Sequence, residues 1–455
     1  MIDARFMIHN SHREGVSGFH DRDPQLRHLA ACSLRYRSPL LDILSNQTPG
    51  IHTLGGGRQT GKSTLLKQWM SELINHGTPP ESITYLNGEL IDDHHSLLMH
   101  MQNHLDSAPA DLINTLIVDE VTYIRDWDKA IKYAADAGLL EHTEVMITGS
   151  DLAFIREARM RFPRRRGASP GDFHLHPLSF REYVSLTGAI EHPDDLPQGN
   201  AETINSKVMD CLYESFDRYL LHGGYLIAIN DLERHGQIRR STLATYADRI
   251  RGDVVKRGKQ EAYLREILSA VIRHYGSQIT WNAMAQDLSI DHPKTIANYV
   301  ALLDRMDALC VIPAIREDRL AAAPKKAKKV FFRDPFILYA LRAWLYPSEA
   351  TFKAQIQSAT ADSVWVSRIV EATVASHCQR IHPTFYIKAQ TEVDVAYVHQ
   401  NRFWPIEIKW TNQLRPKTLK QIARYDNGEI WSKSRVFSEI NSVNVAPLPL
   451  RLLRF

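Results

Sequence analysis

The segment GGGRQTGKST, residues 55–64, decides what kind of fold this chain contains. From Gly56 to Ser63 it fits the pattern G-x-x-x-x-G-K-[ST] in full. The preceding GIHTL (50–54) predicts a short buried strand, and STLLKQWMSELINHG (63–77) predicts an amphipathic helix that ends at a glycine. Strand, glycine loop and helix in this order allow backbone N–H groups to surround a phosphate. The segment therefore predicts a nucleotide-binding α/β fold, with a glycine-rich turn before a capped helix as the simpler alternative.

The loop residues have expected roles in binding ATP. Lys62 is expected to neutralise charge on the β- and γ-phosphates, and the hydroxyl of Ser63 is expected to bind Mg²⁺. The residues predicted to contact the nucleotide, including one from a later strand, are Gly56, Gly57, Arg58, Gln59, Thr60, Gly61, Lys62, Ser63, Thr64 and Ser150.

The segment NTLIVDE (114–120) predicts a second strand of the same sheet. Leu116-Ile117-Val118 is an apolar run typical of a buried parallel strand, and Asp119 and Glu120 follow it directly. Ligands of α/β proteins bind at this carboxyl edge of the sheet. We expect Asp119 to hold Mg²⁺ through water and Glu120 to polarise the attacking water, so both join Lys62 as predicted catalytic residues. An acidic helix cap after a structural strand is the alternative.

Two further segments extend this predicted site. TEVMITGS (143–150) predicts another buried strand, whose polar tip, Ser150 or Thr148, would sense the γ-phosphate. REARMRFPRRRG (156–167) contains six arginines, and such a run is usually a solvated basic face. The alternative is an arginine finger among Arg164, Arg165 and Arg166 that reaches the γ-phosphate of a neighbouring subunit.

These segments, together with ITGSDLAFI and LHPLSFREY (175–183), resemble a large prokaryotic family of AAA-type ATPases. The resemblance covers most of the chain beyond about residue 35. It implies ATP hydrolysis, a winged helix and a C-terminal domain related to restriction endonucleases. Gly57 stands where the family usually has proline. The Gly-Arg expected before the P-L-S-F segment is replaced by Arg164-Arg165-Arg166-Gly167, which leaves the register of the finger open.

Residues 258–335 have the pattern of a winged helix-turn-helix. DHPKTIANYVALLDRMDAL (291–309) has one apolar stripe and, near its start, polar positions at Lys294, Thr295 and Asn298 that a recognition helix would present to DNA. The segment AAAPKKAKK between two predicted strands would form a basic wing, with Lys325 and Lys326 against phosphates. A winged helix that only packs between domains or subunits is the alternative.

The segment TFYIKAQTEVDVAYVHQNRFWPIEIKW (384–410) predicts three strands in a meander. Glu407 and Lys409 would share one face, with Asp394 opposite on the preceding strand and Glu371 on a helix. This arrangement resembles the PD-(D/E)xK nucleases, in which carboxylates hold Mg²⁺ (or Mn²⁺) over the scissile phosphate and the lysine orients water. The alternatives are an edge sheet with exposed charges, or a degenerate nuclease fold that only binds.

QIARY (421–425) places Gln421 and Tyr425 four residues apart, as expected for one face of a helix. The pair resembles the Q-x-x-x-Y element of recombination-type exonucleases, which contacts DNA near the cleavage site. We therefore include both residues among the predicted DNA contacts.

Composition limits the class of protein. The chain has 455 residues, 44% hydrophobic and 24% charged, with a formal net charge of +3, so DNA binding requires local basic patches. There is no apolar run of 18 residues, and the N-terminus lacks an apolar signal core, which predicts no membrane association. Four widely spaced cysteines argue against a disulfide framework or zinc site, so we expect a cytoplasmic protein.

The sequence as a whole predicts an α/β protein of five segments. These are an N-terminal extension (1–34), a three-layer P-loop AAA-type ATPase core (35–200), a helical lid (201–257), a winged helix-turn-helix (258–335) and a PD-(D/E)xK nuclease-like domain (336–455).

The predicted function is ATP-dependent DNA processing by a homo-oligomer, expected to be a hexameric ring. ATP hydrolysis would translocate or remodel DNA, including branched DNA, and the C-terminal domain would cleave it with Mg²⁺. Two alternatives stay open. One is a nucleotide-gated regulatory or defence-type switch with a conditionally active or inactive nuclease domain, and the other is a non-enzymatic DNA-binding scaffold.

Overall fold

The computed structural model describes residues 3–44, 46–109, 111–149, 171–196, 204–347, 351–389, 391–415 and 419–455. The chain divides into two units, Met1–His176 and Pro177–Phe455. Ser150 and the three candidate finger residues, Arg164 to Arg166, lie outside the described residues. The four boundaries between the five predicted segments stay predictions.

A parallel five-stranded sheet organises the first unit, in the order β2-β3-β4-β1-β5. All six positions of β3 are buried, which is typical of a strand covered on both faces. The strands predicted at 50–54, 116–118 and 143–150 are confirmed, the last ending at Thr148. The strands are β1 (Gly50–Gly55), β2 (Ile83–Asn87), β3 (Asn114–Asp119), β4 (Thr143–Thr148) and β5 (Asp172–His174).

Helices cover both faces of this sheet and create two separate cores. Leu116 and Val118 enter one core, whereas Ile117 enters the other, because successive side chains of a strand point to opposite faces. The result is a three-layer α/β unit. Its helices are α1 (Phe19–Arg22), α2 (Pro24–Ala30), α3 (Leu40–Leu44), α4 (Lys62–Asn75), α5 (His94–Ser107) and α6 (Trp127–Asp136).

The N-terminal segment is part of this unit. Asp23 caps α2 by accepting hydrogen bonds from the backbone of Gln25 and Leu26, and the same carboxylate lies 3.1 Å from the ammonium of Lys67 on α4. Neither charged side chain has any exposed surface. Loss of one partner of a buried ion pair destabilises a protein. This pair therefore holds the N-terminal segment against α4, the helix that follows the phosphate loop.

The second unit begins with helices, as the sequence predicts for 202–255. A helix pair and an antiparallel pair of strands, β6 and β9, follow within the segment predicted to be a winged helix. The elements are α7 (Phe180–Thr187), α8 (Ser206–His222), α9 (Leu226–His235), α10 (Arg240–Lys256), α11 (Glu261–Arg273), α12 (Trp281–Gln286), α13 (Pro293–Arg305), β6 (Leu309–Pro313), β7 (Ile315–Arg316), β8 (Ala321–Ala322), β9 (Lys328–Phe332) and α14 (Pro335–Leu345).

A mixed six-stranded sheet ends the chain, in the order β10-β11-β12-β13-β15-β14. The predicted meander of β10, β11 and β12 is confirmed as antiparallel, and β12, β13 and β15 are parallel. Its elements are α15 (Ser358–Ala361), α16 (Ser363–Ile381), β10 (Thr384–Lys388), β11 (Glu392–His399), β12 (Arg402–Lys409), β13 (Glu429–Ser432), β14 (Ser438–Ile440), β15 (Val443–Pro447) and α17 (Leu448–Leu452).

The prediction of a helix that carries Gln421 and Tyr425 is wrong. The chain forms only a 3-10 turn at Ile422–Arg424, and Tyr425 has extended backbone angles. The amide of Gly428 then donates to the carbonyl of Tyr425, closing a turn directly before β13. Tyr425 therefore does not continue a helix with Gln421.

Candidate functional site

The glycine loop approaches neighbouring backbone too closely for any side chain at its first glycine. Gly56 has φ of +147°, and a Cβ there would lie 2.3 Å from the carbonyl oxygen of Leu175. Gly61 has φ of +98° and precedes α4, which begins at Lys62. The N–H groups at this helix start are the kind that bind phosphate. The loop therefore has the backbone geometry that a nucleotide-phosphate site requires.

Lys62 lies inside this loop. Its ammonium donates to the carbonyl oxygens of Gly56 and Gly57, at 2.9 and 3.0 Å, and the residue is 6% exposed. A cation enclosed by the loop's own carbonyls is placed to exchange them for phosphate oxygens. The remaining loop residues predicted to contact nucleotide, Arg58, Gln59, Thr60, Ser63 and Thr64, lie on the same loop and the first turn of α4.

The carboxylate of Asp119 is surrounded by hydroxyl groups at the end of β3. Ser63 donates to its Oδ2 at 2.6 Å, Tyr85 donates to the same oxygen, and Thr148 donates to Oδ1. The amide of Glu120 also donates to Oδ1, at 3.1 Å. The structure thus brings together the residues predicted to bind Mg²⁺, Ser63 and Asp119. Oxygen ligands of this kind fit Mg²⁺, which keeps several waters and uses few carboxylates.

Tyr85 is a site residue that sequence reasoning missed. It lies on β2, which neighbours β3, and burial together with the Asp119 charge raises the pKa of its hydroxyl well above the ordinary value. It therefore stays a hydrogen-bond donor. The order of strands in the sheet was not predicted, and without that order a tyrosine in the middle of ITYLN (83–87) gives no signal of its partner.

Glu120 has an unusual backbone and a cationic partner. Its φ and ψ are 52° and 44°, in the left-handed region, which is uncommon for a residue with a side chain and frequent at functional sites. Its Oε1 accepts from Nη1 of Arg58 at 2.9 Å, and Arg58 also reaches the hydroxyl of Tyr123. The predicted catalytic carboxylate is therefore held by an arginine of the phosphate loop.

A second cluster of charged residues lies in the C-terminal unit. Glu371 on α16 and Asp394 on β11 converge as predicted from the sequence, and Glu392 joins them. One carboxylate oxygen of each lies within 4.8 Å of the others. Glu392 was missed, although its spacing of two residues from Asp394 on one strand face was a usable signal.

Glu407 and Lys409 flank this cluster on β12. Lys409 donates to Oε1 of Glu407 at 2.5 Å, and its ammonium lies 3.7 Å from Oδ2 of Asp394. The amide of Ile408 donates to the same Asp394 oxygen at 2.8 Å. The four residues predicted for the nuclease set are thus neighbours. Burial, and after it the charge of Asp394, raises the pKa of Glu407 to about 7.

A lysine that sequence reasoning did not place here occupies the middle of the cluster. Lys329 on β9 has no exposed side-chain surface, and its ammonium donates to Glu371 at 2.6 Å, pairs with Glu392 and lies 3.7 Å from Asp394. Burial alone would lower the pKa of Lys329, but the carboxylates more than offset this and raise it, so the amine is protonated. Burial raises the pKa of Glu371 to about 7.

The residues predicted to contact DNA lie in several environments. Lys294 and Asn298 on α13 are exposed, Thr295 is half-buried, and Lys325 and Lys326 are exposed between β8 and β9. In contrast, Gln421 is 5% exposed, and the hydroxyl of Tyr425 donates to Glu317 at 3.2 Å. The α13 and wing positions are accessible to a partner, whereas Gln421 is not.

The sheet order, the phosphate loop and the acidic end of β3 define a class of protein. Residues 48–184 match a family model described as an AAA domain. The chain therefore contains an AAA-type P-loop ATPase domain, and such domains generally bind ATP with Mg²⁺. Residues 213–348 match a model described as a domain of unknown function.

Individual relatives are distant. An uncharacterized protein of Haemophilus influenzae is 23% identical over 188 residues, which are 40% of this chain and 41% of that protein, so the match spans less than half of its length. A Walker-type ATPase of Pyrococcus abyssi is 14% identical, with a TM-score of 0.44 over 67% of this chain and 94% of that one. The ORC1 protein of Aeropyrum pernix, solved in complex with DNA, is 12% identical, with a TM-score of 0.32 over 68% and 92%.

Among the described residues, no helix combines the length and apolar character needed to cross a bilayer.

Proposed function

We propose that this chain is an ATP-dependent DNA-processing enzyme. The observation that carries the proposal is the convergence of Lys62, Ser63, Asp119 and Glu120 at one edge of the first sheet. ATP hydrolysis there would translocate or remodel DNA held by the second unit. The chemical step needs a bound metal, a cation at the phosphates and a carboxylate that orients water, and one residue is available for each role.

The roles follow from the contacts. Lys62 exchanges the Gly56 and Gly57 carbonyls for β- and γ-phosphate oxygens. Ser63 and Asp119, already hydrogen-bonded to each other, would hold Mg²⁺. Glu120 orients the attacking water once its pair with Arg58 has opened, because a carboxylate bound to a guanidinium is a poor proton acceptor. Ser150 or Thr148 senses the γ-phosphate, and the Thr148 hydroxyl already binds Asp119.

DNA binding is proposed for the segment of α11 to β9, as a winged helix. Two helices with an exposed polar start on the second, followed by a hairpin, are the parts that such modules use. Lys294, Thr295 and Asn298 would face the groove, and Lys325 and Lys326 would contact phosphates. Exposed lysines on a wing favour this over a purely structural role.

Assembly into a hexameric ring is part of the proposal. An arginine finger requires a neighbouring subunit, and Arg164, Arg165 and Arg166 are the candidates. Each subunit would then complete the nucleotide site of the next.

Mg²⁺-dependent DNA cleavage, with Mn²⁺ as a substitute metal, is proposed for the C-terminal domain, as a nuclease of restriction-endonuclease type. Glu371, Asp394 and Glu407 would hold the metal, and Lys409 would orient the attacking water. The convergence of these four side chains supports the proposal. Bound metal would lower the pKa of its water, which is the chemistry that phosphodiester hydrolysis needs.

A nucleotide-gated switch, with a conditionally active nuclease domain, is the second candidate. One observation favours it: the ammonium of Lys329 lies among the carboxylates that a metal would need. A switch of this kind would hydrolyse ATP slowly with or without DNA, whereas a motor would be strongly stimulated by DNA.

A panel of labelled duplex, forked and four-way DNA, incubated with and without ATP and Mg²⁺, tests the proposal. Remodelling that requires ATP and disappears in Lys62→Ala supports the motor. Cleavage that requires Mg²⁺ and disappears in Lys409→Ala supports the nuclease. If wild type, Lys62→Ala and Lys409→Ala treat every DNA identically, the chain is a DNA-binding scaffold and the proposal is wrong.

A further inference from the structure

The carboxylate cluster already contains a cation from another part of the chain. Lys329 comes from β9, which pairs with β6 of the proposed winged helix, whereas Glu371, Glu392 and Asp394 come from α16 and β11. The lysine side chain is 0% exposed, compared with 14%, 27% and 16% for the three carboxylates. The ammonium therefore approaches from the protein side, and the carboxylates close the cluster toward solvent.

The cluster has more negative than positive groups. When all four carboxyl groups (Glu371, Glu392, Asp394 and Glu407) are ionised, they face two ammonium groups (Lys329 and Lys409), an excess of two formal negative charges. An excess of buried carboxylates is costly unless protons or cations neutralise it. The charge of one divalent cation equals the excess.

One carboxylate oxygen at this site has no hydrogen-bond partner. Glu407 is 6% exposed, and its Oε2 accepts no hydrogen bond in the part of the chain that the structure describes, whereas its Oε1 accepts from Lys409. A buried carboxylate oxygen without a donor costs free energy. This oxygen is an acceptor that a cation could satisfy, in a residue that neighbours Asp394 and forms no ion pair with Lys329 in the part of the chain described.

We infer that Lys329 is an internal counter-cation that competes with a divalent metal for Glu371, Glu392 and Asp394. While β9 holds the ammonium among these carboxylates, the cluster binds metal weakly. Withdrawal of the lysine would leave three carboxylates facing one another, the arrangement that hard divalent cations favour. The inference rests on the proposed nuclease role of this domain and adds that Lys329, on the strand that follows the wing, weakens the binding of the metal that this role requires.

A structural ion pair is the competing interpretation, and metal binding separates the two. Mn²⁺ alone is titrated into the nucleotide-free full-length chain and followed calorimetrically and by electron paramagnetic resonance. We expect Lys329→Met to bind Mn²⁺ at least tenfold more tightly than wild type, and Lys329→Met combined with Asp394→Asn to lose that gain. Lys328→Met is the matched control, since Lys328 is on the same strand but its ammonium donates to the carbonyls of Pro324 and Lys326 and lies 5.5 Å from the ring centre of Trp281. It should bind like wild type.

Protein stability gives a second measurement if Lys329→Met folds poorly. Removal of a buried cation destabilises the carboxylates, and Mn²⁺ should then raise the melting temperature of Lys329→Met by more than that of wild type. The inference is wrong if Lys329→Met, folded or refolded with Mn²⁺, shows neither tighter binding nor greater stabilisation than wild type.

The outcome is separate from that of the proposed function. If Lys329→Met gains Mn²⁺ affinity but no variant cleaves DNA, the counter-cation role stands and the nuclease proposal fails. If wild type cleaves DNA at the rate of Lys329→Met, the nuclease stands and the internal counter-cation is wrong.

Discussion

Hydroxyl groups around one carboxylate define the nucleotide site at the scale of single residues. Asp119 accepts from Ser63, Tyr85 and Thr148, which come from the helix after the phosphate loop and from the two strands that flank β3. Hydrogen bonds to a charged group contribute about 1.5–3 kcal/mol each. The carboxylate is therefore oriented before any metal arrives, and Tyr85 is the partner with no predicted role of its own.

Replacement of Tyr85 by phenylalanine tests this orientation. The change removes one hydroxyl and leaves the ring in its core, so we expect kcat for ATP to fall about tenfold, the equivalent of about 1.4 kcal/mol of lost positioning. Steady-state hydrolysis measured across Mg²⁺ concentrations checks it, with exposed Tyr133→Phe as the control. A rate within twofold of wild type would show that the tyrosine hydroxyl does not position Asp119.

Lys67 lies beside Tyr85, and we expect it to stabilise the first unit. Its ammonium pairs with Asp23 at 3.1 Å and lies 3.8 Å from the ring centre of Tyr85. Lys67→Met should lower the free energy of unfolding of this unit by about 3–5 kcal/mol, because Asp23 would be buried without a counter-charge. Denaturant unfolding measures it.

Two comparisons make the Lys67 result specific. The double variant with Asp23→Asn should recover most of the loss, since the asparagine keeps the helix cap without the charge. Lys129→Met removes an exposed pair with Asp126 and should leave the free energy of unfolding close to that of wild type. A single-variant loss as small as that of Lys129→Met would contradict the account.

Elements of regular structure were largely predictable, since apolar patterns determine them. β1, β3 and β4 are short buried runs, and the first half of β11 alternates between buried and half-buried residues. Gln421 and Tyr425 show the limit, because a spacing of four residues does not by itself make a helix, and here the chain turns at Tyr425 before β13. Lys329 shows another limit. It ends a basic run that the sequence assigns to a wing, and only the fold shows that its side chain turns inward.

Strand β4 contains a buried acid that makes stability depend on pH. Burial raises the pKa of Glu144 to about 8, so the folded state binds its proton more tightly than the unfolded state does. The contribution of protonated Glu144 to the free energy of unfolding is full below the ordinary glutamate pKa. It is lost as the pH rises through about 8. We expect the free energy of unfolding of Glu144→Gln to match that of wild type near pH 4.5. At pH 8.5 it should exceed that of wild type by a few kcal/mol.

Thermal and denaturant unfolding across this pH range checks the Glu144 prediction. The diagnostic quantity is the difference between variant and wild type, which should grow with pH. A difference that is constant between the two ends of the range would mean that the carboxyl group does not titrate as the fold requires.

The whole molecule combines an AAA-type ATPase domain with a second unit in which Lys294, Lys325 and Lys326 are exposed. The net charge of +3 is too small for non-specific attraction, so affinity for DNA should depend on local lysines. The proposed function requires that ATP hydrolysis in the first unit changes the binding of DNA by the second unit. Sequence patterns alone did not predict the counter-cation at the carboxylates, because α16, β9 and β11 are brought together only by the tertiary fold.

The salt dependence of DNA binding tests the wing. Replacement of Lys325 and Lys326 by alanine should reduce the slope of log K against log salt by about 2, because two phosphate contacts are lost. Fluorescence anisotropy with a labelled duplex measures the slope, and Lys129→Ala with Lys132→Ala in the first unit is the control. An unchanged slope in the wing variant would remove the wing from the DNA interface.

The most direct test of the central claim, that this chain hydrolyses ATP at the end of β3, is the hydrolysis rate of Glu120→Gln compared with its nucleotide affinity. The amide keeps the size of the side chain but cannot accept a proton from water. We expect ATP to bind within about threefold of wild type while hydrolysis falls at least about a hundredfold. Hydrolysis by Glu120→Gln at the wild-type rate would contradict the account.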